Sequence, residues 1–245
     1  MALVHELERS GNWLFKHRSW LPVVLIIAGI IVLYLTNRQA ILYDLTEELI
    51  FLGVSLLGQA IRIYTVGYAP RNTSGRNTVA GQIADELNTT GIYSLVRHPL
   101  YLGNFFMWLG PVLFVRTPVF LIFIILVYWL YYERIMFAEE QFLRGKFGEA
   151  YDKWSENVWA IIPRFKGFIK PSLPFSFKTV LKREYNSFVN IFIIFTGLDL
   201  FRNYFVSERI YLNPVWIYLG LPAGIIWIMI RLIHKKTRWL EDEGR

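Results

Sequence analysis

The sequence predicts an all-α fold, a polytopic transmembrane helical bundle of about six spans. Apolar residues make up 54% of the 245 residues and charged residues only 18%, whereas a soluble domain has about 25% charged residues. Several apolar runs approach the roughly 20 residues with which a helix crosses the hydrocarbon core. The chain has no cysteine and four scattered histidines, so neither a disulfide nor a metal site is predicted.

Six apolar stretches supply the predicted spans. The second is the weakest, because Asp44, Glu47 and Glu48 lie in its first turns, and we expect those carboxylates at the outer interface. Residues 1–19 are polar and charged, so we expect no cleavable signal peptide ahead of the first span. In chain order the spans are residues 20–36, 41–61, 101–115, 119–137, 186–206 and 214–233.

The distribution of Lys and Arg orients the predicted bundle. With both termini in the cytoplasm, 22 of the 26 basic residues fall in cytoplasmic segments, and only Arg38, Arg116, Arg202 and Arg209 fall outside. Because cytoplasmic loops carry the basic excess, this split predicts an integral membrane protein with both termini cytoplasmic. Topology and anionic lipid then explain the net charge of +7, so no nucleic-acid partner is predicted.

Two long segments, residues 67–99 and 139–185, fall on the predicted cytoplasmic side, where they can meet. The mixture of aromatic and charged residues in the second favours a helix lying in the membrane interface. In the first, an Arg-Asn-Thr tripeptide occurs at residues 71–73 and again at 76–78, and such a loop suits a phosphate clamp. A basic loop that merely obeys the orientation rule is the alternative, and the residues alone leave both open.

The segment before the third span carries the first chemical signal. Arg97 and His98 stand at the start of that helix, and Pro99 fits its first turn. Free backbone N–H groups and a cationic pair can therefore be presented to an anionic group. Gly91 and Gly103 permit close approach of the backbone. A juxtamembrane Arg-His pair beside a helix-starting proline is the plainer interpretation, and it also stays open.

Three glutamates at the cytoplasmic end of the fourth span give the second signal. Glu133 and Glu140 are seven residues apart and share a helix face, and Glu139 lies beside them. Carboxylates near a helix C-terminus oppose the macrodipole, and residues that break a local rule are candidates for function. The alternative is that nearby basic residues, Arg134, Arg144 and Lys146, simply pair with them.

Taken in order, these pieces resemble a known family. The segment TGIYSLVRHPLYLG, followed after one hairpin by EEQFLRGKFGEAYDKWSENVWAIIPRF, resembles the isoprenylcysteine carboxyl methyltransferases and phospholipid methyltransferases. The shared pattern is Arg-His-Pro-x-Tyr-x-Gly, a Glu-Glu pair, Phe-Gly-x-x-Tyr and a closing Pro-Arg, all within residues 90–165. The resemblance implies an integral membrane methyltransferase that binds S-adenosylmethionine in a cytoplasmic pocket and receives its acceptor from the membrane.

The resemblance also implies roles for single residues. The ammonium and ribose hydroxyls of S-adenosylmethionine suit Glu139 and Glu140, and its carboxylate suits Arg97 and His98. The implied catalytic residues are Arg97, His98 and Glu140. The implied cofactor-binding residues are Gly91, Tyr93, Leu95, Val96, Arg97, His98, Pro99, Tyr101, Gly103, Glu139 and Glu140. The candidate acceptor-binding residues are Arg71, Asn72, Arg76, Asn77 and Arg164.

The chain also departs from the compact pattern of that family. We expect a methyltransferase core over residues 1–185 and an additional transmembrane hairpin over residues 186–245. The acceptor is expected to be a membrane lipid or a lipidated molecule, methylated on a headgroup phosphate, an amine or a prenyl carboxylate. The alternatives are a small-thiol S-methyltransferase, an NADPH-dependent membrane reductase of the sterol type, and a membrane protein without enzymatic activity.

Overall fold

The computed structural model describes residues 2–18, 20–36, 44–70, 73 and 82–242. Over this part of the chain the fold is all-α, as predicted, and the single β feature is an isolated antiparallel bridge between Gly91 and Ile169. A short 3-10 helix, Ile92–Ser94, precedes the fourth α-helix. The α-helices are α1 (Leu3–Lys16), α2 (Trp20–Thr36), α3 (Leu45–Tyr68), α4 (Pro99–Phe114), α5 (Pro118–Phe147), α6 (Glu149–Ser155), α7 (Phe177–Ser207) and α8 (Pro214–Lys236).

Six of these helices are apolar and correspond to the six predicted spans. Four of them, α3, α5, α7 and α8, are long and apolar enough to cross a membrane, whereas α2 and α4 are apolar but shorter. Their shared core lies around Phe114, Phe195 and Trp216, whose side chains are buried and pack ring against ring. The fold is that of a polytopic helical membrane bundle.

Three helices run further than the apolar pattern predicts. Helix α3 continues to Tyr68, α5 continues to Phe147, and α7 begins at Phe177 instead of residue 186. Capping decides two of these ends: Gly148 has a φ of 51° after α5, and the Ser176 hydroxyl accepts a hydrogen bond from the Thr179 N–H at 3.1 Å before α7. The polar segments that seemed to be loops therefore lie partly on rigid helices.

The predicted interface helix in residues 139–185 is wrong. Only α6 is helical between Gly148 and Ser176, and it is seven residues long. Its Tyr151 side chain is 1% exposed and faces the protein instead of the membrane. Trp159, Phe165 and Phe168 of the same segment are exposed, so its aromatic residues do not share one face.

Helix α1, which hydropathy did not predict, packs along the end of α5. Gly11 makes this approach possible, because a Cβ there would collide with the carbonyl oxygen of Arg134. The Tyr131 hydroxyl donates to the Leu14 carbonyl at 3.2 Å, and Phe15 is buried. The N-terminal segment thus joins the same end of the bundle as the C-terminus of α5.

The opposite end of the bundle is closed by buried charges. Glu48, in the first turn of α3, is fully buried within the protein. The Arg202 guanidinium donates to both Glu48 and Asp199, and the Trp216 indole donates to Glu48 at 3.3 Å. This cluster joins α3, α7 and α8, and removing one partner of such a buried pair typically costs about 3–5 kcal/mol.

Candidate active site

A cavity of about 250 Å³ opens at the end of the bundle where α3 and α5 finish and α4 and α7 begin. Its walls come from these helices, the 3-10 helix and α6. Six of the residues predicted from the sequence line it: Tyr93, Arg97, His98, Pro99, Tyr101 and Glu139. The structure therefore brings together the two predicted signals, which are about 40 residues apart in the sequence.

Backbone hydrogen bonds fix the segment that carries Arg97 and His98. The Arg97 N–H donates to the Trp159 carbonyl at 2.8 Å, and the His98 N–H donates to the Ala160 carbonyl at 3.0 Å. Further back, Gly91 has a φ of 61° and a ψ of −134°, a conformation that a side chain would strain. The extended chain after α6 thus holds the start of α4 in register.

Glu140 is the centre of the charge cluster. Its Oε1 accepts from Arg97 Nε at 2.8 Å and lies 2.9 Å from His98 Nε2. Arg97 Nη1 also donates to the carbonyl oxygens of Ser155 and Val158, at 2.9 and 2.7 Å. Arg97 therefore ties α4, α5 and the end of α6 together, and most of its donors are already used.

His98 lies between the two glutamates. Its Nδ1 is 3.5 Å from Glu139 Oε2, and the ring is almost completely buried. Burial acts to lower the pKa of His98, but the hydrogen bonds and charges of Glu139 and Glu140 outweigh it and raise that pKa above its usual value. The site thus favours an imidazolium at its edge.

The glutamates do not pair with the basic residues of α5, so that alternative is wrong. Arg144 pairs with Asp152 at 2.7 Å, Lys146 donates to the Ala84 carbonyl, and Arg134 donates to the Ser10 hydroxyl at 3.3 Å. Glu133 is exposed and does not line the cavity.

Two buried phenol hydroxyls belong to residues that line the cavity. They are the hydroxyls of Tyr101 and Tyr151. Burial first, and then the charge of Glu140, raise the pKa of Tyr151, so its hydroxyl keeps its proton. Each hydroxyl lies within reach of one glutamate of α5, Tyr101 of Glu139 and Tyr151 of Glu140.

Several residues of the wall were missed by sequence analysis, namely Arg18, Arg62, Asn104, Tyr132, Trp154 and Arg183. Arg62 was counted as the first residue of a loop, although it lies on α3. Its Nη1 donates to Asn104 Oδ1 at 2.6 Å, and its Nε and Nη2 donate to Glu184 at 2.9 and 2.8 Å. An arginine continuing an apolar helix was the signal that could have found it.

Other predicted residues lie around the cavity without lining it. Glu140 lies behind the wall, Gly91, Leu95 and Val96 shape the backbone before α4, and Gly103 packs on α3. Arg164 does not line the cavity, and its side chain donates to the Asn157 carbonyl at 3.2 Å. Arg71, Asn72, Arg76 and Asn77 lie outside the described residues, although Thr73 between them lines the cavity.

Comparison with known proteins points to one family. The family profile described as phospholipid methyltransferase matches residues 47–150. A probable protein-S-isoprenylcysteine O-methyltransferase from Oryza sativa subsp. indica is 30% identical over 138 residues, which cover 51% of this chain and 72% of the rice protein. The protein-S-isoprenylcysteine O-methyltransferase of Schizosaccharomyces pombe is 34% identical over 115 residues, 46% of this chain and 48% of that protein. No solved structure matches the chain significantly.

Proposed function

This chain belongs to the family of membrane methyltransferases that contains the protein-S-isoprenylcysteine O-methyltransferases, and we propose that it methylates an anionic oxygen of a membrane lipid or lipidated acceptor with S-adenosylmethionine. The observation that supports this most is the cavity in which Glu139, His98, Tyr101 and Tyr151 converge. We place the cavity on the cytoplasmic side, because the segments with the basic excess gather at that end.

The residues present fit that cofactor. Glu139 lines the cavity and suits the ammonium or a ribose hydroxyl, and the phenols of Tyr101 and Tyr151 add polar groups to the same cavity. The His98 imidazolium suits the carboxylate. Most of the hydrogen-bond donors of Arg97 are used within the protein, so under this proposal Arg97 mainly positions Glu140 and His98.

The proposed reaction places modest demands on the protein. S-adenosylmethionine supplies a methyl group on a positively charged sulfur, and its transfer to an anionic oxygen forms one C–O bond, breaks one C–S bond and leaves the electron pair on sulfur without moving a proton. The residues of the cavity therefore have to orient the acceptor and exclude water. No general base has to be assigned.

The acceptor is proposed from the relatives and the setting of the site. The relatives are named for O-methylation of isoprenylcysteine, which favours an oxygen acceptor over the small-thiol alternative. A prenylcysteine carboxylate and a lipid phosphate share an anionic oxygen on an apolar anchor. Membership of a methyltransferase family argues against the sterol-type reductase and the non-enzymatic alternative.

Ligand binding tests the cofactor directly. The full-length protein in detergent is titrated calorimetrically with S-adenosylhomocysteine and, separately, with NADPH. We expect saturable binding of S-adenosylhomocysteine and none of NADPH. Binding of NADPH alone would overturn the proposed function and favour the reductase.

A further inference from the structure

The N-terminal part of α7 forms one wall of the candidate active site, although α7 lies beyond the matched residues 47–150. Arg183 lines the cavity, and the next residue, Glu184, is 3% exposed. The C-terminal hairpin was predicted to be an addition to the core. Its first helix instead starts nine residues earlier than predicted and enters the cavity wall.

Glu184 holds an arginine of the core in a fixed orientation. Its two carboxylate oxygens accept from Arg62 Nε and Nη2 at 2.9 and 2.8 Å, a bidentate pair, and Gln59 Nε2 donates to the same carboxylate at 3.1 Å. The remaining Arg62 donor, Nη1, reaches Asn104 at 2.6 Å. The planar guanidinium is therefore fixed by α7 on one side and by α4 on the other.

The charges of the cavity suit a positively charged cofactor together with an anionic acceptor. Four arginines line it, and two of them, Arg62 and Arg97, pair with glutamates behind the wall. Arg18 and Arg183 also line the cavity, as do Glu86 and Glu139. S-adenosylmethionine has a net positive charge, so an anionic acceptor complements it in the bound site.

Arg183 faces the same part of the cavity as the cofactor motif. Burial raises the pKa of Tyr93, Glu139 raises it further, and the charges of Arg183 and Arg62 act in the opposite direction. These two guanidinium groups therefore lie within electrostatic reach of Tyr93. Both arginines line the cavity, as does Glu139 of α5.

We propose that α7 forms the acceptor end of the cavity, with Arg183 binding the anionic oxygen group of the acceptor and Glu184 positioning Arg62 beside it. This inference rests on the proposed methyl transfer and adds that Arg183 determines which acceptor binds. The ligand chemistry is a carboxylate or phosphate on an apolar chain. The C-terminal hairpin is thereby part of the enzyme's specificity and not an appended anchor.

The variant Arg183→Gln tests the acceptor contact, with Lys182→Gln as the matched control, because Lys182 loses the same charge one residue away and does not line the cavity. The purified full chain is assayed with N-acetyl-S-farnesylcysteine and with farnesyl phosphate, which separate the two sources of the anionic group. We expect Arg183→Gln to raise KM about tenfold or more for whichever acceptor the parent chain methylates, and to leave the affinity for S-adenosylhomocysteine unchanged. Calorimetric titration with the same acceptor should show the same loss without turnover.

The variants Glu184→Gln and Glu184→Asp test the positioning role. Glu184→Gln should raise the acceptor KM, and Glu184→Asp, which keeps the charge, should recover part of the loss at comparable thermal stability. An acceptor KM within twofold of the parent value in both Arg183→Gln and Glu184→Gln would overturn this inference and leave the proposed function standing. Absence of turnover of both acceptors by the parent chain would overturn the proposed function and this inference with it.

Discussion

Replacing Glu140 by Gln should weaken cofactor binding, because Glu140 organises the wall in which the cofactor motif lies. One of its oxygens accepts from Arg97 at 2.8 Å and lies 2.9 Å from His98. Truncating one partner of a buried, hydrogen-bonded charge pair in a binding site typically costs about 2–5 kcal/mol of binding free energy. The Glu140 side chain is 24% exposed, so solvent screens part of this and about 2 kcal/mol remains, roughly a 30-fold loss of affinity.

Calorimetric titration with S-adenosylhomocysteine measures this loss, and Glu133→Gln is the matched control. Glu133 lies two turns earlier on α5, is exposed and does not line the cavity. We expect the control to bind like the parent chain and Glu140→Gln to bind about 30-fold more weakly while still unfolding cooperatively. Equal affinity in all three proteins would refute the reasoning.

Three further predictions concern pH, topology and the loop after α3. Because the pKa of His98 is raised, its imidazolium is fully present below the usual pKa of about 6.5 and is lost as pH rises through the raised value. The affinity for S-adenosylhomocysteine should therefore fall over that pH range in the parent chain and stay constant in His98→Gln. Calorimetric titration at several pH values measures it. Reporter fusions at Arg116 and at Arg209 should both report the outer side, and a cytoplasmic signal at either would remove the six-span topology. Arg71→Ala combined with Arg76→Ala should raise the acceptor KM or lower kcat and leave the cofactor affinity unchanged. Methylation at the parent rate would show that the loop does not bind the acceptor and is basic only because it lies on the cytoplasmic side.

Local signals predicted the fold class and half of the site well. Composition and apolar runs identified the helical bundle, because every backbone polar group in a membrane must be satisfied within a helix. The motif residues Arg97, His98 and Glu139 indeed meet in one cavity. That these residues lie in one site was predicted from the family resemblance. Spacing alone cannot show that Glu140 pairs with Arg97 instead of with a neighbour on its own helix.

The rest depended on contacts between distant segments. Arg62 and Glu184 are 122 residues apart, and each alone is consistent with a residue near a membrane boundary. Hydropathy ended α3 before Arg62 and began α7 after Glu184, because it detects the apolar part of a helix and not its caps. In the same way, the sequence alone could not show that Arg202 pairs with Glu48 inside the bundle.

The central claim is methyl transfer from S-adenosylmethionine to an anionic oxygen of a membrane-embedded acceptor. It is tested most directly by incubating the purified full chain, in vesicles of a total membrane extract containing lipids and prenylated peptides, with S-adenosylmethionine carrying a trideuterated methyl group. Mass spectrometry of the organic and aqueous phases then locates the label. The account predicts a lipid or prenylated species heavier by one trideuterated methyl ester, formed far more slowly by Glu140→Gln than by Glu133→Gln. Label found only in a water-soluble thiol, or in no product of the parent chain, would contradict it.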